Sequence, residues 1–119
     1  MGVTAESIAR RLDDLLRVAE IPDHPGALNG LQFEHRGPVR GIAAAVDASY
    51  RTILATARAG ANFLLVHHGL FWGGSQRVTG AVYSRYQLLV EHDVAVYSAH
   101  LPLDSHPTVG NNVLLAGEL

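Results

Sequence analysis

Cysteine is absent from this 119-residue sequence. That excludes disulfide staples and thiolate metal ligands, and accords with a reducing compartment. Charge is also scarce, at 17% of residues, and the 9 Lys and Arg do not outnumber the 11 Asp and Glu. Without a basic run the electrostatic footprint of a nucleic-acid binder is missing, so no nucleic-acid partner is expected. No apolar run nears the roughly 20 residues of a membrane span. Met1 to Leu16 mixes Glu6, Arg10, Arg11, Asp13 and Asp14 among apolar residues, which breaks the h-region a signal peptide needs. No membrane partner and a cytoplasmic location are therefore the expectation. Internal repeats and low-complexity tracts are lacking too.

What is present is globular in character: 48% hydrophobic residues in a length that suits one domain, residues 1–119. Seven histidines stand out, because neutral imidazole is the commonest nitrogen ligand for metals and a ready proton carrier. Residues 4–20 read as an amphipathic helix capped by Thr4, with Ile8, Leu12, Leu15 and Leu16 at helical spacing and Pro22 and Pro25 as the stop. Residues 22–38, rich in Pro, Gly, Asn and His, read as a long loop.

Beyond that loop, three apolar strand candidates (39–46, 62–66 and 94–98) alternate with helical segments at 48–59 and 80–92, and a further helix begins at 110. Gly60 sits where a helix C-cap belongs. Alternation of this kind predicts an α/β fold, a mostly parallel sheet with covering helices. In such sheets ligands bind outside the carboxyl ends of the strands.

Two polar clusters fall at those ends. His67 and His68 follow Asn62–Val66, and His100 to Asp104 follow Val94–Ser98. Neighbouring strands lie about 5 Å apart, which would let His67, His68 and Asp104 converge on metal. Two imidazoles and a carboxylate suit Zn, Fe, Mn or Ni better than Mg or Ca. Because successive strand side chains alternate between faces, His67 and His68 are expected to hold one ion each, two ions in all, activating a water for hydrolysis. His100, four residues before Asp104, is the candidate catalytic residue as a proton carrier, or else a group that orients a ligand or simply makes a buried hydrogen bond. Plainer uses compete: Asp104 as a turn or N-cap residue, His92 as a helix-dipole partner, His24 and His35 as solvated loop residues, His106 as structural, and Phe71 and Trp72 as loop packing.

The ordered motifs Leu65-Val66-His67-His68-Gly69-Leu70-Phe71-Trp72, Tyr97-Ser98-Ala99-His100-Leu101-Pro102-Leu103-Asp104 and Gly110-Asn111-Asn112 resemble the NIF-three-like family, also described as GTP cyclohydrolase I type 2 homologues. Asn29-Gly30-Leu31-Gln32 and Val46-Asp47 match its early motifs. The resemblance implies a dinuclear divalent-metal centre, with His67 and His68 on different ions and Asp104 as a third ligand. It also implies a ring-shaped homohexamer and a hydrolase acting on a nucleotide or similar small molecule. The family's remaining ligands lie in a His-x-x-x-Glu motif near the C-terminus of a chain about twice this length, and no such motif occurs here. Three ligands close two metal sites poorly. The apolar pattern at Val113–Leu119 therefore reads as an N-terminal portion truncated before the second motif, with apolar faces left uncovered. A short half-domain completed by another chain is the alternative. The competing functional readings are a metal-binding scaffold without turnover and an inactive fragment.

Overall fold

The structure is a computed structural model and describes residues 2–119. Helix α1 (Ala5–Leu16) starts where Thr4, in extended conformation, accepts a hydrogen bond from the Ser7 N–H. It stops earlier than the expected 20, because Arg17 turns left-handed (φ 55°) and its N–H closes back onto the carbonyls of Asp13 and Asp14. Strand β1 (Gly30–Phe33) lies inside the segment read as loop. It is followed by β2 (Ile42–Asp47), α2 (Tyr50–Arg58), β3 (Phe63–His68), α3 (Gly80–Glu91), β4 (Ala95–Ser98), α4 (Leu101–Asp104) and α5 (Asn111–Gly117). α2 carries a full capping box between Ser49 and Thr52, and Gly60 (φ 77°) follows its end as expected. Among the described residues no helix is long and apolar enough to cross a membrane.

The sheet runs in the order β1-β4-β3-β2. β2, β3 and β4 are parallel, as the alternation predicted, and β1 adds to β4 antiparallel, pairing Gly30 with Ser98. β3 and β4 are thus neighbours, with Val66 opposite Ser98. Period-two alternation divides the core. Leu64, Val66, Val94 and Val96 face Ile53 of α2 and Leu88 and Leu89 of α3. Phe63, Ala95 and Tyr97 face Ala5, Ala9 and Leu16 of α1. The Tyr97 hydroxyl donates to Asp13 Oδ1 at 2.7 Å, which ties α1 to the central strand. Burial, with Asp13 beside it, pushes that phenol well above its usual pKa, so Tyr97 remains a donor.

Cover is uneven. On β2, Ile42 and Val46 are 58% and 63% exposed, and α5 has no buried residue.

Candidate metal centre

Strand register determines where the histidines go. Since Val66 pairs with Ser98, the next residue on each strand comes alongside the other, and His67 Nδ1 donates to the Ala99 carbonyl at 2.8 Å. On the other side of β3, His68 pairs with Asp47, the last residue of β2. There His68 Nδ1 donates to Asp47 Oδ1 at 2.9 Å. β4 then ends in a sharp turn: His100 has φ −91° and ψ −105° before α4 begins. Its backbone N–H donates to Asn29 Oδ1 at 2.7 Å, and its Nδ1 lies 3.0 Å from Asp23 Oδ1.

All three rings meet. One ligand atom from each of His67, His68 and His100 lies within 4.8 Å of the others. Ring centroids are 4.7 Å apart for His67 and His68, and 4.9 Å for His67 and His100. Strict alternation would have sent His67 and His68 to opposite faces. The two rings nonetheless lie close together, and the reason is their place at the carboxyl end of the sheet. Each ring is tethered to a different neighbouring strand there, with no further β3 residue to separate the two faces.

Asp104 sits at the end of α4, with Oδ1 held by Asn111 Nδ2 at 2.9 Å and Oδ2 3.4 Å from His67 Nε2. With its Nδ1–H directed at the Ala99 carbonyl, the neutral His67 ring presents the lone pair of Nε2 to a carboxylate oxygen. Two acceptors at that distance need a positive charge between them. The separation matches the roughly 3.4 Å edge of a tetrahedron with metal bonds of about 2.0–2.2 Å. In each of the three histidines an oxygen occupies Nδ1, the arrangement that fixes the tautomer of metal-binding imidazoles. The donor set therefore fits a borderline transition-metal ion and suits the oxygen-preferring Mg and Ca poorly.

The site opens into a cleft of about 590 Å³ lined by His24, His68, Trp72 and His100. A second cleft of about 650 Å³, between Pro25, Leu28, Phe71 and Tyr86, is lined by no metal-ligating side chain. Phe71 packs against the core as read from the sequence. Trp72 instead sets its ring edge-on to His100 at 4.7 Å and to His68 at 5.9 Å. His24, read as solvated, lines the same cleft. His24 is exposed as expected, whereas His35 is half-buried, with its Nε2 enclosed and unpartnered. His106 is structural as expected, its Nδ1 accepting from the N–H groups of Thr108 and Val109.

The sequence reading missed Asp23, and placed Asp47 only in an early family motif, just after a strand, without a role in the site. Asp47 was discoverable, because it ends β2 at the position equivalent to His68 on β3. Asp23 carries no local signal; it meets His100 from 77 positions away. Its side chain is 5% exposed. Burial acts to raise its pKa, but hydrogen bonds from Asn29, His100, Leu101 and His24 outweigh burial and hold the carboxyl at about 2, below its ordinary 3.8. A group depressed in this way adds stability that is fully present above the unfolded pKa and lost as pH falls through the folded one. About 2 kcal/mol is expected to disappear between about pH 4 and pH 2. Acid unfolding followed by circular dichroism should show this loss in the wild type and a flatter profile for Asp23→Asn. Identical profiles would contradict it.

Comparison with known proteins places these features in a family. Residues 3–119 match the Duf34/NIF3 (NGG1p interacting factor 3) family. A "GTP cyclohydrolase 1 type 2 homolog" of Deinococcus radiodurans is 46% identical over 114 residues, covering 96% of this chain and 43% of the relative. One of Treponema pallidum is 55% identical over 94 residues, covering 78% of this chain and 33% of the relative. Among solved structures, TTHA1606 of Thermus thermophilus superposes with a TM-score of 0.91 at 40% identity, over 98% of this chain and 48% of that one. Reduced HcgD of Methanocaldococcus jannaschii does so with a TM-score of 0.84 at 27% identity, over 98% and 47%. The chain thus spans less than half the length of these relatives. With nearly every residue matched, in sequence and in fold, the chain belongs to the Duf34/NIF3 family.

Proposed function

We propose that this chain contributes the N-terminal part of a divalent-metal centre in a metal-dependent hydrolase acting on a nucleotide or similar small molecule. The observation that carries the reading is the convergence of three imidazoles, each held through Nδ1 by an oxygen, beside the Asp104 carboxylate. His67, His68 and Asp104 hold the metal, with two ions in the complete site and Zn, Fe, Mn or Ni as the fitting elements. When bound, such ions polarise an electrophilic carbon or phosphorus and acidify water.

The chain's own residues do the rest. The Ala99 carbonyl and the Asp47 carboxylate take the Nδ1–H of His67 and His68, so that the neutral rings offer Nε2 to the metal. His100 Nε2 accepts a proton released during hydrolysis, its Nδ1 proton being committed to Asp23. Trp72 walls one side of the cleft. The remaining ligands come from the second half of the full-length relatives or from a partner chain, and the working assembly is a homohexamer in the cytoplasm.

Elemental analysis of the intact, metal-reconstituted protein tests the reading. Close to two ions per chain, with nucleotide hydrolysis abolished by chelator and restored by metal, is the expected result. Essentially no bound metal would overturn it. Metal without turnover of any nucleotide would leave a non-catalytic scaffold in its place.

A further inference from the structure

Asp23 occupies an unusual position for a loop carboxylate. It is nearly enclosed, and apart from the His100 ring every polar group that touches it is a fixed donor. Its Oδ1 accepts from the His24 N–H at 2.7 Å and faces His100 Nδ1 at 3.0 Å. Its Oδ2 accepts from the Leu101 N–H at 2.8 Å and Asn29 Nδ2 at 3.0 Å, and lies 3.1 Å from the same His100 nitrogen. Two of these donors are backbone amides with no alternative role. Asn29 has none either, since its Oδ1 is taken by the His100 N–H at 2.7 Å. Asp23 and Asn29 together therefore grip the His100–Leu101 peptide and the His100 ring from one loop.

Only an ionised carboxylate satisfies this set, with two oxygens and about four lone-pair sites and no proton of its own. An amide in its place must turn an NH₂ group toward one side. Toward Leu101 and Asn29 it would meet two donors. Toward His24 and His100 it would meet one donor that cannot change and one that can: His100 relieves the conflict by moving its proton from Nδ1 to Nε2. Asp23 is thus the group on which the protonation pattern of the His100 ring depends.

We propose that Asp23 is a positioning residue that holds His100 as its Nδ1–H tautomer, so that Nε2 enters the histidine cluster as an unprotonated nitrogen. Its usefulness to a bound ion or a departing proton rests on the metal-centre reading above; the tautomer itself does not. A buried carboxylate in this relation to an imidazole also raises the basicity of the far nitrogen.

The test is nitrogen-15 spectroscopy of the imidazole rings in the intact protein, at mildly alkaline pH, first without metal and then with added zinc. His100→Gln identifies the His100 signals by their loss. In the wild type the His100 Nδ1 signal is expected in the protonated range and Nε2 in the unprotonated range. In Asp23→Asn the two are expected to exchange places or average, while His67, held by the Ala99 carbonyl, keeps its pattern. A wild-type His100 protonated on Nε2 overturns the proposal, and so does a folded Asp23→Asn protein whose His100 signals stay in place. The wild-type spectrum decides alone if the variant does not fold. An Nδ1–H tautomer in a protein that ignores zinc upholds the role of Asp23 and removes the metal centre instead.

Discussion

His67→Ala and Asp104→Ala are each expected to abolish metal binding while the fold survives. His67 ties together the features that define the site: its Nδ1 is locked to Ala99 and its Nε2 faces Asp104 Oδ2 at 3.4 Å. Loss of a residue that merely orients a ligand costs about 10–100-fold in affinity, so loss of a ligand should cost at least about 100-fold. The effect on stability is smaller. His67→Ala removes one hydrogen bond, worth about 1 kcal/mol net, from a side chain that is itself 17% exposed. Asp104→Ala frees Asn111 Nδ2, an exposed donor that water can satisfy. Zinc titration by calorimetry and thermal unfolding, run on both variants, separate the two effects. Unchanged metal content in both variants would sink the metal assignment, and collapse of both folds would show these residues to be structural.

Gly110→Ala is expected to have the largest effect on the fold among single-methyl additions near the site. Gly110 precedes α5, and its backbone is ordinary (φ −69°), so conformational strain is not the reason for glycine here. Space is. A Cβ at this position would press on the His106 carbonyl, lie 2.7 Å from the Leu103 carbonyl oxygen and 3.0 Å from that of Asp104. All three are backbone atoms of the corner between α4 and α5, and none can swing aside as a side chain would. Over-packing of this sort costs about 1–3 kcal/mol and more when backbone must move; a loss of at least about 3 kcal/mol is expected. The corner also carries Asp104, and Asn111, the next residue, aims its carboxylate. Reduced zinc affinity should therefore accompany the loss of stability. Chemical denaturation that places Gly110→Ala within about 0.5 kcal/mol of the wild type, the usual range for neutral surface changes, would refute the packing argument.

Most of the parallel sheet was legible before any coordinates. β3 and β4 are runs buried on both faces, and a buried strand announces itself by continuous apolar residues. Helix ends were legible where a local group caps them, as Thr4 and Gly60 do. β1 was not. Its four residues owe their strand state to pairing with β4, from Gly30 to Ser98, and a pairing of that range leaves no local period to detect. The brief α4 was missed for a similar reason, as a single turn of helix begun at Leu101, with Pro102 in its first turn, and shaped by the reversal at His100.

The same division runs through the site. By itself the sequence determined the α/β class, the family, and the position of His67, His68, His100 and Asp104 at strand ends, because spacing and hydrophobic period encode which residues end which strands. Only the tertiary structure decided that the three imidazoles share one cluster, that Trp72 turns toward it, and that Asp23, Asp47 and Ala99 select the ring nitrogen each histidine offers. Those relations join residues up to 77 positions apart through register and side-chain hydrogen bonds. A hydrogen bond depends on direction and on a few tenths of an ångström, and a linear pattern carries neither.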